Sequence, residues 1–130
     1  NVEDYLGKLR FLLILVCSTM VGSLTHWMLE PNSVVPLVGA SGGISGVIVF
    51  YALQFKKARI AIAPPIVSPI FALFWLIRLR VAYALLIWFV IQAVTLYLQS
   101  QNLTNVSAAA HLGGAAVGAI FWKLWRMRVI

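Results

Sequence analysis

The apolar residues of this chain fall in four long runs: Phe11 to Leu29, Leu37 to Phe55, Val81 to Leu98 and Val106 to Trp122. Each is close to the roughly 20 residues a helix needs to cross a bilayer. Each is also bounded by charged or turn-forming residues. Lys8 and Arg10 precede the first run and Glu30-Pro31 ends it; Lys56-Lys57-Ala58-Arg59 ends the second; Arg78 and Arg80 precede the third; Lys123, Arg126 and Arg128 close the fourth. The pattern predicts four transmembrane helices. A fifth apolar stretch, Ile60 to Ile77, carries Pro64, Pro65 and Pro69 in its first half. Proline lacks the amide hydrogen a helix interior uses and clashes with the preceding turn, and Ile70 to Ile77 is too short to cross. The stretch therefore reads as an interfacial or partly buried loop, with a re-entrant segment as the alternative.

Composition agrees with the bilayer as solvent. The 130 residues are 62% hydrophobic and 10% charged, with a mean hydropathy of +0.97; a soluble domain carries about a quarter charged residues. The net charge of +7 would suggest nucleic acid in a soluble protein, but its distribution gives another reason. With the N-terminus inside, four crossings collect all ten Lys and Arg in the four inner clusters and leave none in the outer loops, 30–37 and 99–105. This is the bias that orients membrane proteins, so no nucleic-acid partner is expected. Both termini are expected on the cytoplasmic side, in the plasma (inner) membrane. Both flanks of residues 60–77 are basic, which argues against a crossing there. One cysteine, Cys17, excludes a disulfide framework or a zinc-type spacing; it reads as packing. The charged start at Asn1 lacks a signal-peptide layout, and the chain reads as a piece of something longer.

Two stretches concentrate small residues. The second run opens with Gly39-Ala40-Ser41-Gly42-Gly43-Ile44-Ser45-Gly46, and the fourth with Ala108-Ala109-Ala110-His111-Leu112-Gly113-Gly114-Ala115-Ala116-Val117-Gly118. Gly42/Gly46 and Gly114/Gly118 have the four-residue spacing that lets membrane helices approach closely. His111, Gly114, Ala115 and Gly118 share one helical face, and Ser41 and Ser45 share another beside Gly42 and Gly46. Packing these faces together would bring the Ser41 side chain toward the His111 ring. At 1.5 Å per residue, Ser41 stands about 22 Å before Lys56 and His111 about 18 Å before Lys123. Both fall in the outer half of the membrane at similar depth. An ionisable residue inside a membrane is a functional candidate. A serine hydroxyl needs an adjacent base to act as nucleophile, and His111 can supply it and then protonate a leaving amine. Unpaired N–H groups at the start of the second helix, around Gly39, Ala40 and Gly42, can hold an oxyanion. The only acidic residues are Glu3, Asp4 and Glu30, so a serine hydrolase here would be a Ser–His dyad without a third carboxylate.

Gly39-Ala40-Ser41-Gly42, followed by Ala110-His111-Leu112-Gly113-Gly114 with Gly118, resembles the rhomboid protease signature, GxSG on one helix and AHxxGxxxG on a later one. The start of the chain, Val2-Glu3 through Gly7 to Arg10-Phe11, is similar to the link between the family's second and third helices, and Trp88 to Gln92 resembles its fifth. The resemblance covers essentially the whole chain, residues 1–130, as one partial rhomboid-like domain. It implies an all-α polytopic membrane bundle containing family helices 3 to 6. It also implies Ser41 and His111 as catalytic dyad, Gly46, Gly114 and Gly118 as packing residues at the site, and a single-span transmembrane protein as substrate entering sideways from the lipid bilayer. Neither cofactor nor metal is implied. Two features depart from the family pattern. The first two family helices, with a His-xxx-Asn element that completes the oxyanion hole, have no counterpart here, so the piece alone is expected to lack that element. Residue 45 is serine where many members place an aromatic ring against the histidine.

Other residues read as structural. His26 is an interfacial residue, Gln92 an interhelical hydrogen bond with a substrate-gate contact as the alternative, and Trp88 and Phe89 packing or lipid-facing, with a role in the lateral gate that the resemblance gives the fifth helix as the alternative. Metalloprotease chemistry lacks its HExxH motif, and aspartyl chemistry lacks membrane aspartates. The alternative function is a catalytically inactive rhomboid-like pseudoprotease that binds membrane-protein clients.

Overall fold

The computed structural model describes residues 1–33, 40–62 and 77–130. Its elements are α1 (Val2–Leu6), α2 (Lys8–Leu29), α3 (Ser41–Gln54), β1 (Arg59–Ile62), β2 (Ile77–Arg80), α4 (Val81–Ser100) and α5 (Ala108–Arg126). The helices beyond α1 coincide with the four apolar runs. The short α1 was not anticipated: Gly7, at φ 81°, adopts a left-handed conformation and separates it from α2.

Helices α2, α3 and α5 form a tight trio. Gly42 lies against Ala110 and Gly114, and Gly46 against Gly114 and Gly118. The two numberings rise together, so α3 and α5 run parallel. Phe50 packs with Ile14 while Gly42 meets Ser18, so α2 is antiparallel to α3. Helix α4 is antiparallel to α5, since Gln92 meets His111 and Gln99 meets Ala108, and it packs far more lightly than the trio. This alternation puts all ten basic residues at one end of the bundle and Ser41 and His111 toward the other.

The basic end holds the apolar core. Val2, Leu6, Ile14 and Phe50 are buried together, flanked by Phe11, Val47, Tyr51, Phe121, Trp122 and Trp125. Tyr5 packs edge-on against Phe55 and Trp125. Arg10 lies over Trp125, and Lys56 and Arg126 over Trp122. These tryptophans thus anchor both the core and the cations.

Two expectations need correction or narrowing. The flanks of the loop expected at 60–77 are strands: β1 and β2 pair antiparallel, with Arg59 opposite Arg80 and Ala61 opposite Arg78. Alternation makes the pairing amphipathic. Arg59, Ala61, Arg78 and Arg80 are exposed on one face, and Ile60 and Leu79 are half-buried on the other. The pairing returns the chain to the end it left. The prolines and the alternatives weighed for them lie in residues 63–76, outside the described residues. As for crossings, α2 and α4 are long and apolar enough to span a membrane. Helix α3 has 14 residues, about 21 Å at 1.5 Å each, against a hydrocarbon core of about 30 Å. Helix α5 has 19 residues, but glycines, His111 and Lys123 dilute its apolar character. The outward faces of α2 and α4 expose Leu9, Leu24, Leu86 and Val90, which suits lipid better than water.

Candidate active site

Ser41 is the first residue of α3, and Ala40 is its N-cap without a side-chain cap. The carbonyl of Ala40 accepts from the Ile44 amide at 2.9 Å, starting the helix. The amides of Ser41, Gly42 and Gly43 belong to the first turn, which has no intrahelical acceptors. Ser41 and Ala40 are exposed and Gly42 is buried. Gly39 lies outside the described residues.

The small residues set the distance between α3 and α5. A Cβ on Gly114 would fall onto the carbonyl oxygen of Gly42, and one on Gly118 onto that of Gly46. A Cβ on Gly46 would meet the Ser18 side chain and stand 2.8 Å from the Gly114 carbonyl oxygen. A Cβ on Gly42 would lie 3.3 Å from the Ala110 carbonyl oxygen. Main chain therefore touches main chain. The residue after Ser41 is seated on the residue before His111, which places the two at one level on adjacent parallel helices. They are not hydrogen-bonded to each other in this structure. The Ser41 hydroxyl has no partner among the described residues. The half-buried His111 ring uses Nδ1 to bond Gln92 Oε1 at 2.8 Å. Ser45 turns back on its own helix, donating to the Ser41 carbonyl at 2.7 Å, so it gives the ring no support.

A second polar network ties the same end of the bundle. Ser107 caps α5 by accepting from the Ala110 amide at 3.1 Å, and its hydroxyl bonds His26 Nδ1 at 2.8 Å. Gln99 accepts from the Ala108 amide at 2.9 Å and donates to Glu30 at 2.7 Å. Sequence reasoning missed Ser107, Gln99 and Glu30 as partners. A serine directly before an alanine run is the N-cap signal that could have found Ser107. Among the described residues no group of three or more His, Cys, Asp or Glu comes together.

The family model for the Rhomboid domain matches residues 1–127. The chain belongs to the rhomboid family. No curated protein and no solved structure matches it. Membership makes it a membrane protein by family, in keeping with the two spanning-length helices. Rhomboid proteins comprise intramembrane proteases and pseudoproteases, so the chemistry rests on the arrangement around Ser41 and His111.

Proposed function

We propose that this rhomboid protein is an intramembrane serine endopeptidase. In this reading four helices, α2 to α5, cross the bilayer with the basic end and both termini of the chain on the cytoplasmic side. The Ser41 Oγ attacks the scissile carbonyl while His111 Nε2 takes its proton. The new oxyanion is held by first-turn amides of α3, including that of Ser41. His111 then protonates the departing amine, leaving an acyl-enzyme on Ser41. A water molecule, deprotonated by His111, hydrolyses the ester and frees the serine. Catalytic hydrogen bonds often close only when substrate is bound, so an open Ser41–His111 gap is compatible with this chemistry. The observation that carries the reading is the seating of Gly42 on Ala110 and Gly114, which leaves the hydroxyl and the imidazole little freedom to drift apart. The substrate would be a single-span membrane protein with helix-breaking residues near the outer face, because its helix must unwind to present a peptide bond.

The test is labelling of the full-length protein in detergent by a fluorophosphonate, comparing wild type with Ser41→Ala and His111→Ala. Loss in both variants supports the dyad. Equal labelling in all three places the reactive serine elsewhere and ends the assignment. A folded wild type that does not label is a client-binding pseudoprotease instead.

A further inference from the structure

Helix α4 is polar at two buried points. Along its length only Val81, Gln92 and Gln99 are buried; Gln92 is 5% exposed and Gln99 7%. The glutamines are seven residues apart, two turns along one face, and both are spent on α5 or its flank. Gln99 accepts from the Ala108 amide that opens α5 and reaches across to Glu30. Gln92 reaches His111. The first glutamine satisfies main chain and has a structural task. Among the described residues the second bonds only the ring nitrogen that the proposed chemistry leaves idle.

We infer that Gln92 is the positioning residue of the dyad, its side-chain carbonyl holding His111 as the Nδ1–H tautomer so that Nε2 keeps a free lone pair for Ser41. This rests on the reading of Ser41 and His111 given above. A neutral imidazole carries one proton, and the partner of one nitrogen decides the state of the other. An amide oxygen only accepts. With Oε1 at 2.8 Å from Nδ1, the proton is on Nδ1 and the base is Nε2. In a serine triad a carboxylate does this work; here the three carboxylates of the chain, Glu3, Asp4 and Glu30, are elsewhere. A neutral amide performs the same orientation without a charge in the membrane. It also replaces the ring that position 45 does not provide. Because Gln92 stands on the lightly packed α4, the base is oriented only while α4 is seated against α5.

The experiment uses the full-length protein in detergent with 15N-labelled histidine, His111 being assigned by its loss in His111→Ala. Wild type, Gln92→Glu and Gln92→Met are compared by ring 15N shifts and by kcat and KM on a transmembrane substrate. The expected wild-type spectrum shows a protonated Nδ1 and an unprotonated Nε2. Gln92→Met should mix or reverse the tautomers and lower kcat about 3- to 20-fold, the factor set by the usual strength of an interhelical hydrogen bond in a membrane, with KM little changed. Gln92→Glu, which keeps an acceptor, should restore the tautomer. A wild-type Nε2–H signal, or an unchanged tautomer in Gln92→Met, overturns the inference. Proteolysis that survives Ser41→Ala sinks the functional reading alone, since the tautomer is read without activity.

Discussion

Replacing Gly114 with alanine tests the main-chain contact on which the site depends. The three atoms nearest the added Cβ are the carbonyl oxygen, carbonyl carbon and Cα of Gly42. None is the end of a side chain that could swing away. Ordinary contact for a Cβ begins at 3.4 Å, so α3 and α5 would have to part by about 1.5 Å, an overpacking that costs about 1–3 kcal/mol. The same separation draws Ser41 from His111, and a misplacement of about 1 Å can lower turnover about 100-fold. The comparison is Gly42→Ala, whose Cβ would lie 3.3 Å from the Ala110 oxygen, so that a shift of a few tenths of an ångström relieves it. Heat unfolding in detergent micelles gives stability, and cleavage of a transmembrane substrate gives turnover. Gly114→Ala is expected to lose clearly more stability than Gly42→Ala, and to lose most of its activity at temperatures where it is still folded. A Gly114→Ala protein as stable and as active as wild type would show that the helices are not held at main-chain distance.

Gln99→Leu strands the Ala108 amide and Glu30 together and should cost about 1–2 kcal/mol of stability, measured by the same unfolding assay, whereas Gln92→Leu should cost turnover more than stability. Ser18 is fully buried and its hydroxyl has no partner among the described residues; Ser18→Ala should leave stability unchanged or raise it by up to about 1 kcal/mol, and a larger loss would reveal a partner. Arg59 faces Arg80 directly across the hairpin. Arg80→Glu should stabilise that pairing by about 0.2–1 kcal/mol, and the gain should vanish in an Arg59→Gln background.

The helices were legible because apolar length and flanking charge are written along a single segment. The ends of α4 and α5 fell within a few residues of the expected runs, and the glycine spacing on α3 and α5 named the interface that forms. The hairpin was not legible: its strands are four residues each, and Arg59–Ile62 reads as the tail of one basic cluster until its partner 18 positions on is known. Gln92 was foreseen as an interhelical hydrogen bond, but its partner, His111, depends on the rotation of α4, which periodicity alone does not give. Ser41 and His111 were expected to approach; their helices pack side by side, while the one bond the ring makes among the described residues is through Nδ1 to Gln92. His26 read as an interfacial bystander, and its bond to Ser107 needed the antiparallel alignment of α2 and α5 to become visible.

An interface built from main chain has no side-chain detail to erode. The lipid-facing surfaces of α2 and α4 can exchange one large apolar residue for another with little effect on the gap between positions 41 and 111. That gap answers to glycines 42, 46, 114 and 118, where main chain meets main chain. Under long divergence such a bundle would keep a thin thread of small residues while the rest of its sequence is rewritten.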